Sequence, residues 1–182
     1  MTIDDRQRLW LAVYAISAFE KAETNCHRLL STCDSNRHPQ FELFSTSIHI
    51  FYARPFRHVQ GIKRSSLFHE TDVPQAYRGV HNFLVSFRDK IIAHTDANTE
   101  KDFGSVMHEV QVRPVPGDMI LSCCDPKAKL EAYSDAQPLI AEMKSVAMRR
   151  FLTIKQQYHS VFPIEAADYV LKLEGGEVFK RL

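Results

Sequence analysis

Four long stretches of this sequence repeat apolar residues every three or four positions, the spacing that places side chains on one face of an α-helix. The first covers residues 4–33 and contains neither proline nor glycine. The others cover residues 41–52, about 74–94 and 135–161. Four amphipathic helices in 182 residues predict an all-α fold, an up-and-down four-helix bundle within one domain spanning residues 1–182.

Proline and aspartate indicate where three of these helices begin or end. Pro55 should end the second helix. Asp72, as a cap before Pro74, should begin the third, and Asp135 and Pro138 should open the fourth.

The remaining segments are predicted from shorter patterns. Residues 105–123 combine valine-rich and apolar runs around the turn sequence PVPGD, which predicts a β-hairpin between helices three and four. Residues 55–73 have no clear period and read as a flexible basic connection. A short helix is expected over 164–171 and a frayed tail over 174–182.

The overall composition limits the class of partner. A net charge of +1 and 45% hydrophobic residues describe a globular chain that attracts nucleic acid only through a local basic patch. No apolar run approaches the roughly 20 residues of a membrane span, and no signal segment follows the start, so we expect a cytoplasmic protein with no membrane contact.

The metal-binding residue types lack metal-binding spacing. Nine histidines occur without an HxxxH or HxH pair, and no CxxC pair is present. We therefore expect neither metal nor cofactor. Cys26 and Cys33 lie on one face of the first helix and are expected to be buried free thiols.

The third predicted helix carries two apolar stripes. The first contains Tyr77, Val80, Leu84, Phe87, Ile91 and His94; the second contains His81, Val85, Arg88, Ile92 and Thr95. A helix with two adjoining stripes needs two partners, so one stripe can face its own bundle while the other meets a groove or a second chain.

Arg88 and His94 are the strongest catalytic candidates. In an ideal α-helix they lie about 9 Å apart along the axis and about 120° apart around it, so convergence is permitted but not required. A histidine can take the proton of a ribose 2′-hydroxyl while a guanidinium stabilises charge on phosphorus. Such a pair would support metal-free phosphodiester cleavage, with Asp89 as an orienting acid.

The run RDKIIAH, from Arg88 to His94, resembles the Arg-polar-x-x-x-x-His motif on helix three of the HEPN superfamily. A group of bacterial bundles of this kind, the abortive-infection and toxin-like HEPN proteins, has a helix two that closes on a run similar to YARPF, Tyr52 to Phe56. The two runs occur here in the matching order on the expected helices.

The resemblance implies a metal-independent RNase that acts as a toxin or antiviral effector. It also implies a homodimer through helix three in which two Arg and His pairs line one cleft, with RNA as substrate and an antitoxin or other protein as partner. Arg88 and His94 carry over as catalytic residues, with Asp89 as their polar partner. Tyr52 and Arg54 are secondary candidates for substrate contacts, because a tyrosine on the core face and an arginine near a helix C-terminus both also have structural explanations.

Other interpretations stay open at this point. Short motifs recur by chance, and Arg64 with His69 also fits the spacing, although that pair lies outside an apolar helix. His94 could simply complement the dipole at a helix end, and Arg88 could pair with Glu23 or Asp89 for structural reasons. The alternative function is a non-catalytic interaction or nucleotide-binding module.

Overall fold

The computed structural model describes residues 1–59, 62, 66–93, 110–123 and 128–182. Over these residues the protein is mainly helical, with helices α1 (Ile3–Thr32), α2 (Phe41–Ala53), α3 (Arg78–Phe87) and α4 (Ala132–Gln157). No helix in this part of the chain is both long and apolar enough to cross a membrane. The four helical stretches predicted from periodicity are confirmed.

Helix α1 is the central element, because it packs against both α2 and α4. Its buried face includes Phe19 and Cys26, which the apolar spacing predicted. Cys26 and Cys33 are buried free thiols, as expected, and burial raises the pKa of Cys26 to about 12. Glu23, at the edge of the same face, pairs with Lys144 of α4.

A capping box begins α1. The Asp5 N–H donates to the Thr2 hydroxyl, and the Thr2 N–H donates to the Asp5 carboxylate. The Tyr158 hydroxyl, just beyond α4, also donates to Asp5. Hydrogen bonds from Thr2 and Tyr158 lower the pKa of Asp5. Because Thr2 precedes α1 and Tyr158 follows α4, the Asp5 carboxylate joins the start of α1 to the end of α4.

Helix α4 begins at Ala132, earlier than predicted, and Pro138 lies inside it. Tyr133 and Ala136 are fully buried. Packing of this first turn against the core therefore compensates for the backbone hydrogen bond that Pro138 cannot donate.

The predicted cap of helix three is wrong. A 3₁₀ turn at Gln75–Tyr77 leads into α3. Asp72 instead accepts a hydrogen bond from the His69 N–H at 2.8 Å and from the Arg150 guanidinium at 2.6 Å. The carboxylate thus pairs with α4, where a charged partner offers a stronger bond than a helix N–H.

The segment between α2 and α3 is better anchored than the predicted flexible connection. Ile62, Phe68 and Val73 are buried in its described part. The Phe68 ring packs edge-on against Phe19, with 5.6 Å between centroids. One aromatic anchor without helical periodicity gives no sequence signal, which explains why the sequence did not predict this packing.

The predicted β-hairpin is present, with strand β1 (Val110–Val115) antiparallel to β2 (Asp118–Cys123). Its turn contains Pro116 and then Gly117 at φ +80°, an order that suits a tight turn requiring positive φ at its second central position. Residues 105–109 of the predicted hairpin lie outside the described part of the chain.

The predictions for the C-terminal segment are wrong. Instead of a helix over 164–171 and a frayed tail over 174–182, strand β3 (Tyr169–Leu171) pairs antiparallel with β4 (Phe179–Arg181). The buried Arg6 guanidinium of α1 donates to the carbonyls of Lys172, Gly175 and Glu177 at 2.9–3.2 Å. These long-range bonds order the segment and are invisible to local patterns.

Candidate functional site

The end of helix three departs from α-helical geometry. After Phe87 the chain continues as a π-helix over Arg88–Ala93. Its hydrogen bonds join residues five apart instead of four, so each residue turns through less than 100°. The ideal-helix angle between Arg88 and His94 therefore does not apply, and His94 itself lies outside the described residues. Short π segments are frequent at functional sites.

The second stripe of helix three divides into two parts. His81 is buried, and Val85 packs against the hydrophobic core of the same chain. Arg88 and Ile92, one and two turns further on, are only half-buried and line a surface pocket. Ile92 packs against this core as Val85 does, so the apolar residues of the stripe are partly covered by their own fold, and Arg88 and Ile92 also border a groove.

The end of α2 supplies the opposite side of that pocket. Pro55 ends the α-helix as predicted, and the chain passes through a 3₁₀ turn at Arg54–Phe56. Pro55 is buried in this turn while Arg54 is exposed. The Arg54 guanidinium carbon lies 4.8 Å from the centroid of the Phe51 ring, a cation–π contact that holds the arginine at the surface.

Asp89 connects the two helix ends. One carboxylate oxygen accepts from Arg88 at 2.9 Å, and the other accepts from Arg57, which follows the 3₁₀ turn. The side chains of Arg57, Arg88 and Asp89 are 33–40% exposed, so solvent screens these ion pairs and each adds little stability. Their main effect is to hold two guanidinium groups side by side.

The pocket has a volume of about 410 Å³, within the roughly 300–1,000 Å³ typical of ligand sites. The described residues that line it come from α1, from the end of α2 and its following turn, and from the π-helix: Tyr14, Ile50, Arg54, Arg57, His58, Val59, Arg88 and Ile92. Three arginine side chains therefore line one opening.

The electrostatics of the pocket favour an anion. None of the described lining residues is acidic, and Asp89 offsets one of the three arginine charges. Among the described residues, three positive charges less one negative charge leave an excess of about two. Guanidinium groups present planar, paired N–H donors that match phosphate and carboxylate oxygens.

Tyr52, a predicted substrate contact, does not line the pocket. Its side chain is fully buried, and its hydroxyl lies 2.9 Å from His81 Nδ1. Burial raises the pKa of Tyr52 and lowers the pKa of His81. Both groups are therefore neutral core side chains that join α2 to α3.

The structure brings together three of the predicted site residues, Arg88, Asp89 and Arg54. His94 of the predicted catalytic pair and Arg64 of the competing pair both lie outside the described residues. In the part of the chain that is described, no group of three or more His, Cys, Asp or Glu side chains could hold a metal ion.

Tyr14 and His58 are site residues that sequence reasoning missed. Tyr14 stacks on Trp10, four residues earlier on α1, with 5.1 Å between ring centroids and 10° between planes. An aromatic pair four residues apart on a helix was the available signal, since such residues share a face. His58 offered no pattern beyond its basic neighbours.

Comparison with known proteins adds no relative: no family model, curated protein or solved structure matches the chain. The likeness to the HEPN superfamily consequently rests on the two short runs RDKIIAH and YARPF.

Proposed function

We propose that this chain is a metal-independent endoribonuclease of HEPN type, with its helices arranged as an up-and-down bundle. The observation that carries the proposal is the position of Arg88, the arginine of the run RDKIIAH and a predicted catalytic residue. Arg88 shares one pocket with Arg54 and Arg57. Such a pocket is suited to the phosphate backbone of RNA.

In the proposed reaction His94 accepts the proton of a ribose 2′-hydroxyl. The 2′-oxygen then bonds to the adjacent phosphorus, and the bond from phosphorus to the 5′-oxygen of the next nucleotide breaks. Arg88 stabilises the negative charge that develops on the phosphoryl oxygens. The products are a 2′,3′-cyclic phosphate and a 5′-hydroxyl end, the latter protonated by His94 or by solvent.

The neighbouring residues have separate roles in this proposal. Asp89 keeps Arg88 and Arg57 in place through its two carboxylate oxygens. Arg54, exposed beside Phe51, contacts an adjacent phosphate as a substrate-binding residue. Acting on cellular RNA, the enzyme would serve as a cytoplasmic toxin or antiviral effector restrained by an antitoxin or another protein.

The test is incubation of the purified protein with RNA in the presence of a chelator. We expect cleavage products with cyclic phosphate ends. His94→Ala and Arg88→Ala should each lower the rate at least 100-fold, the range typical of a lost acid–base or charge-stabilising group. His58→Ala, run in parallel, measures whether the imidazole that lines the pocket contributes.

Arg28→Ala is the matched control, because Arg28 is an exposed arginine of α1 about 21 Å along the axis from Tyr14. Its cleavage rate should equal that of the unaltered protein. Cleavage that persists at full rate in both His94→Ala and Arg88→Ala would exclude these residues from the mechanism.

A second candidate function is a non-catalytic module that binds a nucleotide or a partner protein at the same pocket. It is favoured by Asp89, which pairs with both Arg57 and Arg88 as a structural ion-pair bridge would. Here RNA would be bound without being cleaved, and Arg88→Ala would weaken ligand binding or assembly instead of a reaction rate.

A further inference from the structure

We propose that Tyr14, supported by Trp10, is a stacking surface for a nucleobase whose phosphate is held by the arginines of the same pocket. The inference deepens the proposed function, because it takes the pocket to be a nucleotide site. The stacking inference holds whether the pocket cleaves the RNA that it binds or only binds it.

The position of Tyr14 is the first argument. It lines the pocket together with Arg54, Arg57 and Arg88, so an aromatic ring borders the same opening as three phosphate-binding groups. A nucleotide presents the complementary pair of features, an anionic phosphate and a flat aromatic base. Inorganic phosphate or an acidic peptide would use the arginines but would leave an aromatic ring without a matching partner.

The stack of Tyr14 on Trp10 is the second argument. The rings are nearly parallel, 10° apart, with centroids 5.1 Å from one another. Trp10 occupies one face of the Tyr14 ring and restricts its rotation, so little side-chain entropy remains to be lost when a ligand binds. A ring held in this way is pre-organised to stack a base on its other face.

General properties of nucleic-acid recognition support this combination. Proteins that bind single strands pair a positively charged groove with aromatic side chains, and stacking tolerates any base because every base has a π-face. A base inside a duplex is already stacked on its neighbours. The site therefore accepts a nucleotide unit whose base is unpaired.

Binding of two strands of equal length tests the inference. One is a short single-stranded oligodeoxyadenylate and the other an abasic strand with the same phosphates. Neither carries a 2′-hydroxyl, so neither is a substrate for the proposed cleavage. Fluorescence anisotropy of labelled strands should show that the protein binds the adenylate about 10-fold more tightly than the abasic strand.

Variants of Tyr14 test whether its aromatic ring causes the preference for the adenylate strand. Tyr14→Phe keeps the ring and should keep the base preference, whereas Tyr14→Leu should bind both strands with the affinity of the abasic one. Tyr169→Leu, in the C-terminal hairpin and half-exposed like Tyr14, should leave the preference unchanged. A thermal unfolding curve for each variant separates loss of binding from loss of folding.

Trp10 supplies an independent readout, since it is the only tryptophan of the chain. Its emission should change when the adenylate binds and stay constant when the abasic strand binds. Equal affinity for the two strands, absence of binding to either, or an unchanged preference in Tyr14→Leu would overturn the inference. Base-dependent binding without RNA cleavage would instead overturn only the ribonuclease proposal.

Discussion

At the scale of single residues, the buried hydrogen bonds of His49 show which of its two ring nitrogens carries a proton. Its Nδ1 lies 2.9 Å from the Leu84 carbonyl oxygen, which can only accept, so Nδ1 carries a proton. Burial lowers the pKa of His49 to about 4, so the ring is neutral at pH 7. Nε2 therefore accepts from the Tyr133 hydroxyl at 2.8 Å, and that hydroxyl accepts from Ser45 in turn.

This network predicts a pH-dependent stability. The pKa of His49 is near 6.5 in the unfolded chain and about 4 in the folded one. The full stability is present above pH 6.5, and as the pH falls toward 4 the unfolded state binds a proton that the folded state does not. The free energy of unfolding should fall by about 3 kcal/mol over that interval on account of His49.

Urea unfolding at a series of pH values, with and without His49→Gln, measures this contribution. The variant should be less stable at pH 7 but should lose less stability between pH 6.5 and 4. His81, whose pKa burial also lowers, titrates in both proteins and cancels in the comparison. The exposed control His27→Gln should follow the unaltered protein; parallel curves for His49→Gln would contradict the assignment.

At the scale of elements, the C-terminal hairpin depends on a residue of the first helix. Strands β3 and β4 have only three residues each, and isolated two-stranded hairpins are marginal in water. Arg6, which is 5% exposed, donates to four carbonyls of the loop that joins them. The helix thus supplies the order that the strands cannot supply alone.

Arg6→Ala should therefore release the hairpin. We expect rapid hydrogen exchange and early proteolysis within residues 169–181, together with a loss of about 2 kcal/mol in the free energy of unfolding, since bonds to a charged donor are lost. Mass spectrometry after limited digestion measures the first effect and urea unfolding the second.

Arg181→Ala is the control within the hairpin itself. Its ion pair with Glu165 has both side chains more than 60% exposed, and exposed pairs contribute little. This variant should keep the exchange protection of residues 169–181. Equal protection in Arg6→Ala would show that the hairpin is ordered by other contacts.

At the scale of the whole molecule, charge is distributed unevenly. The chain carries a net charge of only +1, yet Arg54, Arg57 and Arg88 face one pocket with a single offsetting carboxylate. Positive charge is therefore concentrated locally, at this pocket as at the one lined by Arg8, Arg149 and Arg150. Ile92 lines the pocket of Arg88 as well, so an apolar side chain accompanies the charge.

The proposed homodimer through helix three is a prediction at this scale. Light scattering at several protein concentrations should give twice the mass of one chain. If the cleft is catalytic, Arg88→Ala should leave that mass unchanged while lowering RNA cleavage. A mass of one chain at every concentration would contradict the dimer, and dissociation by Arg88→Ala would favour the interaction-module alternative.

Local patterns were sufficient for a large part of the structure. The four helices follow from apolar spacing, the end of α2 follows from Pro55, and the hairpin turn follows from Gly117. Burial of Cys26 and Cys33 follows from their position on one helix face. Each of these features depends on residues close together in the chain, which is why sequence alone predicts them.

For the candidate site, the sequence by itself nominated Arg88, Asp89 and Arg54, through a short motif and a proline-terminated helix. Only the tertiary structure decided that Arg57 joins them through Asp89 and that Tyr14 lines the same pocket. The core position of Tyr52 agrees with the structural interpretation of its sequence pattern. The tertiary structure also decided that the end of the chain is a hairpin. These outcomes depend on contacts between residues distant in sequence, whose energies local periodicity does not encode.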